Sequence, residues 1–123
     1  MITAAAVLVM LAGLAHVGFF VAESLLFRRP AVHRLFGARD AETARIQAPV
    51  FVNLGFYNLF LGLGAITGAA MLLASGAMAL ALFASLFMVG AAAVLVATSR
   101  RLWRGALVQG LLPAVAVILL LAA

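Results

Sequence analysis

Four long apolar runs restrict this chain to one solvent, the interior of a lipid bilayer. They extend from Ile2 to about Phe27, from about Gln47 to Ala74, from Ala77 to Thr98, and from Gly105 onward. At about 1.5 Å rise per residue, about 20 residues cross the hydrocarbon core, so each run suffices for one crossing. The interruptions are short: Arg28-Arg29-Pro30, Ser75-Gly76 and Ser99-Arg100-Arg101. Of 123 residues, 68% are hydrophobic and 9% charged. Soluble domains carry about 25% charged residues, and so few charges cannot cover a water-facing surface. The expected fold class is an all-α membrane protein, a four-transmembrane-helix bundle forming a single domain over residues 1–123, with helices at about 2–27, 41–74, 77–98 and 105–122. The first run has no basic residue before it and exceeds the about 7–15 apolar residues of a signal-peptide core, so it reads as a retained helix.

The net charge of +5 would raise the question of nucleic acid in a soluble protein. Here the arginines sit in two short connections, so the charge reads as topology and no nucleic-acid partner is expected. Arg28, Arg29, Arg34, Arg39 and Arg45 lie between the first two runs; Arg100, Arg101 and Arg104 lie between the last two. The positive-inside rule places loops 28–45 and 99–104 in the cytoplasm and both termini outside, an N-out/C-out arrangement. Trp103 fits an interfacial anchor beside those arginines. The exclusive use of arginine over lysine and the abundance of alanine suggest a GC-rich bacterial genome, hence a bacterial inner membrane. Cysteine is absent, which excludes disulfides and thiolate metal sites.

The first connection carries structure of its own. Pro30 can open a short interfacial helix with Val32, Leu35 and Phe36 toward lipid, His33 and Arg34 toward headgroups, and Gly37 at its end. Asp40 reads as an N-cap, and Glu42 falls in the first turn, where the helix dipole favours a carboxylate. The second spanning helix is therefore expected to start near Ala41, below the membrane. Pro49 lies inside it without an N–H for the backbone ladder, which predicts a kink.

Polar residues within the runs are the route to function, because a charge at a helix centre costs about 2.5–3.5 kcal/mol on insertion scales. The first run has His16 and Glu23, seven residues apart, on one face within about 20° and about 10 Å apart along the axis. The second carries Asn53, Tyr57 and Asn58, and the fourth carries Gln109. Counting from the nearest loop arginine puts Glu23, Asn53 and Gln109 in one cytoplasmic layer and His16 level with Tyr57 in a deeper one. One histidine with one carboxylate is too small a set for a typical metal site, so no metal and no cofactor are expected. The GxxxG pattern Gly64-Ala65-Ile66-Thr67-Gly68 allows close helix approach. Its expected use is within the bundle, with a homodimer through Gly64 and Gly68 as the alternative. The methionines read as packing or lipid-facing residues.

Three segments together resemble a known bacterial membrane family, catalogued as domain of unknown function 1304. They are His16-Val-Gly-Phe-Phe-Val-Ala-Glu23, Asn53-Leu-Gly-Phe-Tyr-Asn-Leu-Phe-Leu61 and Val108-Gln-Gly-Leu-Leu-Pro-Ala114. The resemblance covers nearly the whole chain and implies a four-helix inner-membrane protein. In it His16, Glu23, Asn53, Gly55, Tyr57, Asn58, Gln109 and Pro113 match the family's marked positions. Leu54 stands where the family usually has glutamine, and the family's glycine-rich third-helix pattern survives only as Gly90 and Thr98. The family name implies no activity.

Three function classes follow, in the order the residues support them. The first is binding or transport of a small amphiphile or of protons. In it Glu23 is the protonatable group, His16 a relay, and Asn53, Tyr57, Asn58 and Gln109 line a pocket among membrane lipids. The second is a structural or scaffolding subunit whose polar residues hold its helices together. The third is an intramembrane enzyme using His16 and Glu23 as acid and base on a lipid-like substrate. A small four-helix chain with one embedded glutamate resembles the small multidrug resistance transporters in outline, but arginines confined to one side argue against their dual insertion.

Overall fold

The computed structural model describes residues 1–123, nearly all of them helical. Helix α1 (Ile2–Phe20) continues directly into a π-helical turn, Val21–Leu25. A short helix α2 (Pro30–His33) follows, then α3 (Ala41–Ser75), α4 (Ala79–Thr98), a 3₁₀ turn (Arg100–Leu102) and α5 (Trp103–Leu121). Four helices, at Ile2–Leu25, Ala41–Ser75, Ala79–Thr98 and Arg100–Leu121, are long and apolar enough to cross a membrane, with mean hydropathies of 2.3, 1.6, 2.5 and 1.9. The molecule is a multi-pass membrane protein.

Local chemistry sets the helix ends. Pro30, with its fixed φ and no N–H to waste, opens α2. Gly37, at φ 92°, turns the chain where a side chain would be strained. Asp40 caps α3 by accepting a hydrogen bond from the Thr43 N–H at 2.7 Å, and that contact holds its carboxyl below the usual aspartate range. Gly76, at φ 73°, closes the other end of α3, its N–H bonded to the Leu72 carbonyl. Pro49 lies inside α3, which continues through it.

The spanning helices form a ring in which α1 packs against α3 and α5, and α4 packs against α3 and α5. Both arginine-bearing connections therefore lie at the same end of the bundle. The interior is made of small residues: of the twelve buried in the main core, eight are alanine, joined by Val9, Leu72, Met88 and Leu120. Large side chains such as Phe56, Phe60, Phe83, Phe87, Leu111 and Ile118 point outward. This inversion suits lipid. Acyl chains are as apolar as leucine, so helices gain little by hiding large residues and more by letting their backbones approach.

Two glycines meet where α1 crosses α3. A Cβ on Gly62 would lie 2.6 Å from the Gly13 carbonyl oxygen, and one on Gly13 would lie 2.8 Å from that of Gly62. In the GxxxG pattern the two glycines differ. A Cβ on Gly68 would come within 2.6 Å of the Ala81 nitrogen on α4, whereas Gly64 has open space around its Cβ position. Gly68 thus serves packing within one chain.

The first connection folds differently from the sequence expectation at two residues. His33 does not face headgroups: it is 1% exposed, and its Nδ1–H donates to the Ala38 carbonyl at 2.9 Å. Phe36 turns partly inward, half-buried with Phe51 against a small second core of Phe27, Ala38, Ala44 and Ala48, in which Phe27 stacks on Phe51 at 4.1 Å between centroids. The physical reason is length. The stretch between α2 and α3 must fold back on itself, and an inward histidine satisfies a loop carbonyl that would otherwise be buried without a partner.

Gly68→Ala is expected to lower stability by about 1–3 kcal/mol through overpacking, while Gly64→Ala is neutral or slightly stabilising. Thermal unfolding of the two variants in detergent measures this. Equal sensitivity at both positions would contradict the packing described.

Candidate functional site

The site begins with the π-helical turn. The Leu26 N–H reaches back five residues to the Val21 carbonyl at 3.0 Å, widening the turn that carries Glu23 and Ser24. Such turns are frequent at functional sites. In a wider turn consecutive side chains diverge less, and here both neighbours reach α3. The Asn58 side-chain amide donates to Glu23 Oε2 at 2.7 Å. The Ser24 hydroxyl donates to the Val52 carbonyl at 2.9 Å.

Gly55 makes this possible. A Cβ there would overlap Ser24 Oγ and come within 3.1 Å of the Ser24 backbone nitrogen. Gly55, Asn58 and Gly62 lie three and seven residues apart on α3, one stripe facing α1. The stripe thus alternates close approach with a polar contact. Glu23 is 8% exposed; one of its oxygens is engaged and the other, Oε1, has no hydrogen-bond partner in the chain. A groove of about 340 Å³ is lined by Leu25, Phe27, Ala48, Pro49 and Val52, with Ser24 and Arg28 as its polar groups; Glu23 precedes it in the chain without lining it.

The remaining sequence candidates are spread out. His16 is 1% exposed; its Nδ1–H donates to the Ala12 carbonyl at 2.9 Å, and its ring meets Phe19 edge-on at 5.1 Å. No hydrogen bond joins it to Glu23. Asn53 lies exposed on the outer surface of α3, as does Tyr57 at 65% exposure. Gln109 is half-buried on α5. Glu23 is therefore paired with Asn58, while Asn53, next to the Val52 that Ser24 bonds, makes no hydrogen bond to it. Arg45 is itself helical, bonded to Glu42 at 2.7 Å in the opening turns of α3. With 35 residues, α3 is about 52 Å long against a hydrocarbon core of about 30 Å, so its start stands outside the lipid.

Ser24 and Gly55 complete the site. The sequence reading passed over Ser24, although a hydroxyl next to an embedded acid is a usable signal. It noted Gly55 only through the family resemblance, although its seven-residue spacing to Gly62 marks a packing stripe. No three His, Cys, Asp or Glu side chains gather as a metal site would require.

Fold and site together define a four-span helical membrane protein with an acid–amide pair between its first two spans. The chain belongs to the family described as "Protein of unknown function (DUF1304)", which matches residues 10–121. That match includes every contact of the site. No curated protein and no solved structure matches the chain.

Gly55→Ala is expected to destabilise the protein by about 1–3 kcal/mol, more than Ser24→Ala, which removes one hydrogen bond worth about 1 kcal/mol. Unfolding curves of both variants decide the order. A wild-type curve for Gly55→Ala would remove the basis for the tight Ser24 contact.

Proposed function

We propose that this protein binds a small amphiphilic molecule, or passes protons, through the polar group centred on Glu23. The observation that carries the reading is a carboxylate inside a membrane span with one oxygen held by Asn58 and the other free. An intramembrane acid is costly and is retained where it exchanges a proton or meets a ligand charge. The groove that begins at Ser24, the residue after Glu23, supplies apolar walls for a tail, with Ser24 and Arg28 for a polar head. Asn53 and Tyr57 open onto the outer face of α3, where a ligand dissolved in the bilayer would first meet them. His16 is the next titratable group along α1 and would act as a relay, with Gln109 on the neighbouring α5. The protein would reside in a bacterial inner membrane, with both arginine-bearing loops in the cytoplasm.

A structural role is the second reading, and the Glu23–Asn58 and Ser24–Val52 bonds favour it because both tie the first span to α3. Enzymatic use of His16 and Glu23 finds less support, since each is committed to a partner of its own.

Glu23→Gln separates the first two readings. Glutamine keeps an acceptor oxygen for Asn58 but cannot ionise. Under the binding reading the variant folds, and its binding of a lipophilic cation, tetraphenylphosphonium, no longer changes with pH. Wild-type binding tightens as pH rises and Glu23 gives up its proton. Identical stability and identical pH response in both proteins would sink the protonation role, and loss of folding in the variant would favour the structural one.

Orientation has its own test. In intact cells an impermeant thiol reagent is expected to label cysteines placed at Thr3 and Ser75, but to label one at Ala31 only after permeabilisation. All three positions are exposed, so the reverse pattern would invert the topology rather than report burial.

A further inference from the structure

The two arginine-bearing connections flank an open cleft of about 390 Å³, with Phe36 and Gly37 on one side and residues 98–102 on the other. We propose that this cleft is a phosphate site and that its occupant is the headgroup of an anionic phospholipid. The inference is independent of Glu23 and its groove.

Charge accounting points to an external anion. The chain has three acidic residues against eight arginines, and each acid is engaged elsewhere: Glu42 with Arg45, Asp40 with the Thr43 N–H, and Glu23 with Asn58. Arg100 and Arg101 therefore line the cleft with no carboxylate to pair with. Guanidinium groups recognise phosphate through paired N–H donors, which a single point charge does not offer. Ser99 adds a hydroxyl that makes no hydrogen bond in the chain, whereas the hydroxyl of Thr98 is turned back to the Val94 carbonyl at 2.8 Å.

Position favours a lipid over a free ion. The cleft lies where α4 ends and α5 begins, and the next residue, Trp103, is half exposed with Arg104 5.5 Å from its ring centroid. Tryptophan and arginine in that setting mark headgroup level, and basic pockets between spanning helices at that level take anionic headgroups. Phe36 and Leu102 give the cleft apolar walls, which suit a glycerol backbone and the first methylenes of its chains but do nothing for inorganic phosphate. A volume near 390 Å³ falls within the range of about 300–1,000 Å³ usual for small-molecule sites.

The test uses the full chain in a non-ionic detergent. Three probes are titrated while the unfolding temperature is followed: short-chain phosphatidylglycerol, phosphatidylcholine of the same length, and inorganic phosphate. Phosphatidylglycerol is expected to stabilise the wild type saturably, with the other two having little effect. The double variant Arg100→Gln/Arg101→Gln should bind the lipid about tenfold more weakly or worse, the loss of at least one charge-assisted hydrogen bond. The control Arg29→Gln/Arg34→Gln removes the same charge outside the cleft and should remain near wild type. Arg100→Lys/Arg101→Lys keeps the charge but not the forked donors and should fall between, which guards against a folding defect in the glutamine variant. Equal losses in cleft and control variants would reduce the effect to general surface charge and overturn the site. Equal stabilisation by phosphatidylcholine would overturn the phosphate requirement, and equal stabilisation by inorganic phosphate would overturn the lipid as its source.

Discussion

In a bilayer the hydrophobic effect does not push helices together, so contact between them rests on how closely their backbones can come. In this protein that closeness depends on the facing pair Gly13 and Gly62, where each glycine leaves no room for a Cβ against the carbonyl of the other. The alanine interior continues the same solution around the ring, and the large side chains move outward to the lipid. An acid, a histidine and a serine inside the spans are tolerable only because neighbouring backbones are near enough to supply partners or cover.

The π turn and the glycine stripe cooperate in this. Gly55 lets Ser24 settle onto the Val52 carbonyl, and the same approach brings the Asn58 amide to Glu23. The arrangement differs from a fully satisfied structural network because one carboxylate oxygen stays free. Buried polar atoms without a partner also occur elsewhere in the bundle, at Ser85 Oγ and Gln47 Oε1.

Much of the fold could be read directly. Run lengths gave the four spans, Asp40 and Gly37 marked local turns by their chemistry, and the arginine pattern put both basic connections at one end. What could not be read was register. Which residues of α1 and α3 meet depends on where glycines interlock and on an extra residue in the turn at Val21–Leu25, neither of which hydrophobic periodicity reports. Asn58 reads as polar from the sequence but not as the partner of Glu23, because which α3 side chain turns toward α1 follows from that register. His33 differs because amphipathicity predicts the face of a helix in isolation, and the histidine of this four-residue helix takes its burial from Phe27 and from the loop carbonyl of Ala38.

The widened turn in the first span also has a consequence for the loop that follows. An α-helix keeps a constant phase, so a residue's face can be projected along its length; one turn with a surplus residue resets that phase for everything beyond it. Phe27 lies just past the reset, and its stacking on Phe51 seats the first connection against α3. Losing one residue within Val21–Leu25 would leave an ordinary helix of almost the same length but swing Phe27 around the axis and away from its seat. The length of that single turn, measured in residues, thus couples the membrane interior to the folding of the loop outside it.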